Sequence, residues 1–180
     1  MKKFPLIACL TVLLFAVSVN AASGFNIIED SANATGSAGS TASGSFTVNN
    51  TGTTNLDINF TGYTLTKGSD QLSISSLSNI TNLANGSDLQ TATFSVVIPT
   101  QKAPGLYTGT LTGTTNESNV DTVTINANVT PTYSVSTIPA SEMDLGSASV
   151  NTTYTKTFNI TNTGNANITN VTFDFSESGF

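Results

Sequence analysis

Between Phe25 and Val129 the chain alternates apolar and polar residues in short runs. Phe46 and Val48 alternate with Thr47 and Asn49. Leu56, Ile58 and Phe60 follow, then Leu72 and Ile74, then Ala92, Phe94, Val96 and Ile98. Tyr107 and Leu111 come next, and last Val123, Ile125, Ala127 and Val129. Each run has a period of two, the signature of a strand with one face in a core. The nearest approach to a helix, Leu77 to Leu89, is interrupted by Asn79, Asn82, Asn85 and Gly86. The pattern therefore predicts an all-β fold of roughly seven strands, an antiparallel β-sandwich with its alternate residues facing inward. Phe46, Val48, Ile58, Phe94, Val96, Ile98, Leu111, Val123 and Ile125 form its expected core. Ser31 to Ser45 (SANATGSAGSTASGS) is small and polar and reads as a long loop or a weak edge strand.

One phrase is written twice. SFTVNNTGTTNLDINF from Ser45 returns as TFNITNTGNANITNVTF from Thr157, an offset of 112 residues. Phe46 falls on Phe158, Val48 on Ile160, and Asn50-Thr51-Gly52 on Asn162-Thr163-Gly164. Lying between two strand patterns, each Asn-Thr-Gly reads as a tight hairpin with glycine at positive φ. Thr130-Pro131-Thr132 is the expected hinge, because proline cannot donate within a sheet and ends the preceding strand. The chain then divides into residues 1–21, a leader, 25–130, a first module, and 133–180, the opening strands of a second. On the repeat offset the second module is incomplete. Its row Phe158, Ile160, Ile168, Val171, Phe173 and Phe175 is expected to be exposed or to lean on the first module. On the same alternation Val48, Phe60 and Ile160 are expected to be buried, opposite the sequon asparagines of their strands.

A further landmark is Ala103-Pro104-Gly105-Leu106-Tyr107-Thr108-Gly109. It resembles the Asp-x-Gly-x-Tyr-x-Cys stretch of immunoglobulin domains, with Ala103 at the Asp position and Gly109 at the Cys position. That resemblance implies a corner tyrosine, Tyr107, bonding back to the backbone in a sandwich without the usual disulfide. The Asn-Thr-Gly phrase, TATFSVVIPTQKAPGLYTGTLTGT and MDLGSASVNTTYTKTFNITNTG resemble immunoglobulin-like modules of secreted archaeal and bacterial proteins. These include CARDB-type adhesion modules, surface-layer-associated repeats and the sandwich module appended to secreted alpha-galactosidases. The resemblance implies an immunoglobulin-like antiparallel β-sandwich in tandem modules, with no shared catalytic residues.

Composition adds a compartment. Lys2 and Lys3 precede an apolar run from Phe4 to Val19, and Val19-Asn20-Ala21 offers small residues for cleavage, the pattern of a signal peptide. The run is short for a membrane span. Cys9 lies inside it, so cleavage near Ala21 would leave an extracellular or cell-surface chain without Cys, His, Arg or Trp. Three lysines then stand against eleven carboxylates, a net charge of −8. A disulfide framework is excluded, and clustered cations for nucleic-acid phosphates are missing.

Candidate chemistry is sparse. Without His or Cys, a histidine-activated nucleophile and the usual zinc and iron ligands are ruled out. Asp57, Asp70, Asp88 and Asp121 read as solvated acids on turns or polar faces, so no catalytic residue and no cofactor is expected. Glu29-Asp30, Asp121 and Glu142-Met143-Asp144 are weak candidates for calcium at module ends. Tyr63, Tyr133 and Tyr154 are the aromatics not claimed by a core face, and hence the candidate sugar platform. Asn-x-Ser/Thr occurs eleven times, at Asn33, Asn49, Asn59, Asn79, Asn85, Asn116, Asn128, Asn151, Asn159, Asn167 and Asn170. In strands these asparagines share the polar parity, so they should point outward as N-glycosylation requires.

The sequence thus points to a non-enzymatic, modular surface or secreted protein whose partners are surface polysaccharide or other surface proteins. Two alternatives stand beside it. One is an accessory module of a secreted glycoside hydrolase whose catalytic domain lies beyond Phe180. The other is a fibre subunit that takes a strand from its neighbour and associates with itself through the second module.

Overall fold

A computed structural model describes residues 24–86, 88–140 and 149–172. The described chain is all-β, with no helix among the described residues. Ten strands lie between Phe25 and Thr130: β1 (Phe25–Ile27), β2 (Ser31–Ser37), β3 (Thr41–Asn50), β4 (Leu56–Thr61), β5 (Thr64–Lys67), β6 (Asp70–Leu77), β7 (Ile80–Leu83), β8 (Leu89–Val97), β9 (Gly105–Thr115) and β10 (Val120–Thr130). They form one curled, mixed sheet ordered β1-β3-β8-β6-β5-β9-β10-β2, with β4 set between β9 and β7. The β5–β6 hairpin, in register from Thr64↔Ser73 to Lys67↔Asp70, carries the sheet around the bend. One arm is then β1-β3-β8-β6 and the other holds β2, β10, β9, β5, β4 and β7.

The apolar parity explains the curl. All nine expected core residues are buried, along with Phe60, Leu65, Leu72, Ile80, Leu83, Tyr107, Ala127 and Val129. Phe46 on one arm meets Phe60 on the other edge-to-face, with ring centroids 5.4 Å apart at 81°. Such a pair adds about 0.5–1.5 kcal/mol to the burial of its area.

The stretch from Ser31 to Ser45 is not a loop: it holds β2, an edge strand as the second of the two readings has it, and the start of β3, which lies inside the sheet. The inward residues of the stretch are Ala32, Ala34 and Ala42, too small to register as an apolar run, yet all are buried. Small residues are needed there because β2 and β3 approach closely. A Cβ on Gly44 would lie 2.5 Å from the Asn33 carbonyl oxygen and 2.6 Å from Phe94 Cζ. Nor is every pair antiparallel. β2 runs parallel to β10, from Ser31↔Thr124 to Ser37↔Thr130.

The Asn-Thr-Gly phrase is also not a hairpin. β3 pairs with β1 and β8, whereas β4 pairs with β7 and β9, so the loop crosses from one arm to the other. Among the described residues the left-handed glycines are Gly39, Gly62, Gly68, Gly86 and Gly105, and neither Gly52 nor Gly164 is among them. What shapes the loop is the Asn50 side chain, described below.

Past Pro131 the chain forms a second, small sheet, β11 (Val135–Ile138) and β12 (Asn159–Asn162). Its pairing copies that of the first two partners. Val135↔Asn162 and Thr137↔Ile160 repeat Phe25↔Asn50 and Ile27↔Val48. Its apolar row is partly exposed: Phe158 is 39 %, Ile160 38 % and Val171 49 % exposed. Ile160 therefore does not occupy a core as Val48 does, because no second layer lies over β12 among the described residues. Phe173 and Phe175 lie outside the described residues.

Candidate functional site

Three polar constructions organise the surface, and each begins from a backbone group that the sheet leaves unpaired. The first is at the β1–β2 step. After Ile27 the chain leaves β3 to join the other arm; Ile28 N still donates to Thr47 O at 2.9 Å, but Thr47 N is left without a strand acceptor. The Glu29 carboxylate replaces it, accepting from Thr47 N at 2.6 Å and from Thr47 Oγ1 at 3.0 Å. Asp121 does the same for Ile27 N, at 2.7 Å from Oδ2. The sequence pattern has these acids solvated or holding calcium. They serve instead as acceptors for orphaned backbone donors. Among the described residues no group of three or more His, Cys, Asp or Glu is placed to hold a metal ion. Glu142 and Asp144 lie outside the described residues.

The second construction surrounds Tyr107, which is fully buried. Its hydroxyl lies 2.9 Å from the Ala103 carbonyl oxygen and 2.8 Å from Asp70 Oδ2, so one proton faces two acceptors. The bond back to Ala103 is the corner bond that the 103–109 stretch predicts. Asp70 Oδ1 also pairs with Lys102 Nζ at 2.6 Å. Lys67 Nζ donates to the Pro104 carbonyl. Both ammonium groups stand over the ring, 5.6 Å and 5.3 Å from its centroid, within cation–π range. The Lys102 hydrogen bond, and after it that of Tyr107, holds the Asp70 carboxyl below its ordinary range. Burial, then the Asp70 hydrogen bond, pushes the Tyr107 phenol up to about 12. Gly109, at the position of the immunoglobulin cysteine, has no room for a side chain: a Cβ would sit 2.3 Å from the Thr64 carbonyl oxygen.

The third construction is the repeated loop. Asn50 is fully buried. Its Nδ2 donates to the carbonyls of Thr54 (2.8 Å) and Leu83 (2.9 Å), and its Oδ1 accepts from Gly52 N at 2.9 Å. Asn162 repeats two of these bonds on the same offset, to Ala166 O at 2.8 Å and from Gly164 N at 3.0 Å. Local sequence alone reads this asparagine as a turn former. Its recurrence at one fixed place in both copies is the available sign of a structural role.

The remaining candidates are scattered. Tyr63 is 42 % exposed, and its hydroxyl donates to Phe60 O at 2.6 Å. Tyr154 Oη accepts from Ser149 N at 3.1 Å. Tyr133 is 69 % exposed and lines an open groove of about 380 Å³ with Ser134, Val135, Asn167, Ile168 and Thr169. Asp57 Oδ1 accepts from Asn82 N, and Asp88 Oδ2 from Ala84 N. No two carboxylates are brought together as an acid–base pair by these contacts.

Ten of the sequon asparagines are exposed: Asn33, Asn59, Asn79, Asn85, Asn116, Asn128, Asn151, Asn159, Asn167 and Asn170. Asn49 departs from the expected outward placement. It is half-buried on a strand flanked on both sides, and its Oδ1 is buried without a partner among the described residues. The Asn85 amide donates to Thr53 O at 2.8 Å, and Asn126 Nδ2 donates to Asn33 Oδ1 at 3.1 Å.

No family model matches the chain, and no curated protein matches it in sequence. Solved structures with some likeness include a family 123 glycoside hydrolase from Clostridium perfringens, at 14 % identity and a TM-score of 0.43. That match covers 61 % of this chain and 27 % of the hydrolase. Another is the secreted serine protease VesC from Vibrio cholerae, at 11 % identity and a TM-score of 0.36, covering 65 % of this chain and 24 % of the protease. The chain thus spans about a quarter of either protein, and likeness at this level carries no argument about function.

Proposed function

We propose that this chain is a non-enzymatic, modular surface or secreted protein whose units are immunoglobulin-like sandwiches acting as spacers or adhesive elements. The observation that carries the reading is the repeated backbone arrangement. The β1–β3 pairing and the Asn50 loop return as the β11–β12 pairing and the Asn162 loop. A chain that rebuilds one structural unit after a short proline linker is built as an array. The immunoglobulin-like assignment draws support from strand order. The arm β1-β3-β8-β6 follows the order ABED, and β4-β9-β10 follows CFG. Tyr107 then stands near the start of strand F with its hydroxyl on the backbone upstream, as that fold's tyrosine corner does.

The rest of the reading follows from chemistry. The described residues bring together no nucleophile and base. The acids near the arms' edges are occupied by backbone donors. Exposed sequon asparagines and a net negative charge suit a polar, glycosylated outer surface.

The test is fractionation of the native cells with intact-mass analysis of the protein. It should appear in the surface or extracellular fraction with its N-terminus near Ala22, and with glycan mass on several of the exposed sequons. A cytoplasmic protein that retains Met1 would sink the reading. A bare, secreted chain released from a larger hydrolase would favour the accessory-module alternative.

A further inference from the structure

The unit that starts at Tyr133 does not hang freely from Pro131. Asn165 reaches back across the linker with its whole amide. Its Nδ2 donates to Lys102 O at 2.9 Å and to Thr130 O at 3.1 Å, and its Oδ1 accepts from Thr132 N at 2.6 Å. An asparagine amide has two N–H donors, and both are spent on the first unit. The backbone adds to this. Asn165 N and Ala166 N both donate to Thr132 O, at 3.1 Å and 3.2 Å. Gly164 lies against the linker so closely that a Cβ there would be 2.2 Å from Thr132 O. Pro131 between these contacts has its φ fixed by its ring.

The acceptor on the first unit is itself immobilised. Lys102 belongs to the loop from Pro99 to Pro104, which three contacts tie down. Tyr107 holds Ala103 O, Asp70 holds the Lys102 ammonium, and Lys67 holds Pro104 O. The corner around a buried tyrosine thus stiffens the surface on which the next unit sits. The repeat makes the point independently. On the 112-residue offset Asn165 falls on Thr53, whose carbonyl accepts from Asn85 within its own unit. The amide stands in the copy that follows a unit, and a threonine stands in the copy that follows the expected leader.

We infer that the Pro99–Pro104 loop and the end of β10 form a docking surface for the Asn162–Ala166 loop of the following unit. Asn165 is the residue that fixes the angle between the two. This deepens the modular reading and rests on it. Consecutive units would then keep one mutual orientation instead of pivoting at the proline.

The absence of cysteine after Cys9 allows a direct test. In the full chain with Cys9→Ser, cysteines replace the exposed Ser73 on β6 and Thr161 on β12, and nitroxide labels are attached. Pulsed dipolar spectroscopy should give one narrow distance distribution, and Asn165→Ala should broaden it severalfold while the first unit's thermal transition stays in place. Lys102→Ala leaves Asn165 intact but frees the loop from Asp70, and should broaden the distribution less. A broad distribution in the parent, or an unchanged narrow one in Asn165→Ala, overturns the docking surface. If Asn165→Ala instead lowers the first unit's transition, residues 133–172 are part of that fold, and the modular reading itself fails.

Discussion

At the scale of single residues, the chain relies on buried or half-buried polar groups aimed at the backbone. Tyr107 is the clearest case, since its hydroxyl serves both the Ala103 carbonyl and the Asp70 carboxylate. Removing it with Tyr107→Phe leaves both acceptors without that donor, at a cost of about 1–3 kcal/mol. Equilibrium denaturation in urea should show the loss. The same corner sets a pH dependence at both extremes. Tyr107 ionises near 12 in the fold and near its ordinary value when unfolded, so its contribution is complete below about pH 10 and fades as pH rises through about 12. Asp70 acts oppositely. Its folded carboxyl is depressed, so its contribution is present above the ordinary carboxylate range and is lost as pH falls through the folded value. Stability measured against pH should therefore lose its alkaline decline between about pH 10 and 12 in Tyr107→Phe. An unchanged alkaline limb would contradict the assigned role. Little of this corner is legible in the sequence. The tyrosine motif is, but Lys67, Asp70 and Lys102 are spread over 36 positions and carry no shared pattern.

Among elements, legibility follows side-chain size. β3, β8 and β10 are readable because Phe46, Phe94, Val123 and Ile125 recur at alternate positions. β2 is legible only as a loop or a weak edge strand, because its inward residues are Ala32 and Ala34, which serve close packing and leave no large apolar period. The direction of β2 is beyond reach for a different reason: strand parity says which face is inside but not which neighbour is taken. Where β1 hands over to β2, the acids Glu29 and Asp121 complete the ladder. Glu29→Ala should cost about 1 kcal/mol, toward the lower end for a lost acceptor because Thr47 is only half-buried and water can reach it. Glu29→Gln keeps an acceptor oxygen and should recover most of that. Amide hydrogen exchange at Thr47 is the local readout, with faster exchange expected in the alanine variant. Equal protection in both variants would count against the ladder role.

For the whole molecule, the core of the curled sheet is the main source of stability. Phe94 is 1 % exposed and packs where β3 and β8 face the other arm. Phe94→Ala should cost about 3–5 kcal/mol, as a large aromatic lost from a core does. That is a large share of the ~5–15 kcal/mol by which a domain is usually stable. A loss under about 1 kcal/mol in a chemical denaturation curve would show that the two arms do not share one core. The second sheet contributes little of this kind, since its row from Phe158 to Val171 is half-exposed among the described residues. The amide of Asn165 across the linker has no sign in the sequence pattern. A repeat reveals what two copies have in common. Asn165 is where they differ.

The parallel register of β2 with β10 has a consequence for mechanics. Tension along the chain pulls β2 from its N-terminal side and β10 from its C-terminal side. Two parallel strands loaded in that way slide past one another, and the seven register pairs from Ser31↔Thr124 to Ser37↔Thr130 are strained together. An antiparallel pair pulled at one end would unzip, its hydrogen bonds breaking in succession. A proline at Ala34, whose backbone faces β10 as those of Asp30 and Gly36 do, removes a donor from this seam (Ala34→Pro). In single-molecule stretching it should lower the force peak of the first unit much more than a proline at Ala38, in the turn between β2 and β3. Equal peaks in the two variants would place the mechanical clamp elsewhere in the sheet.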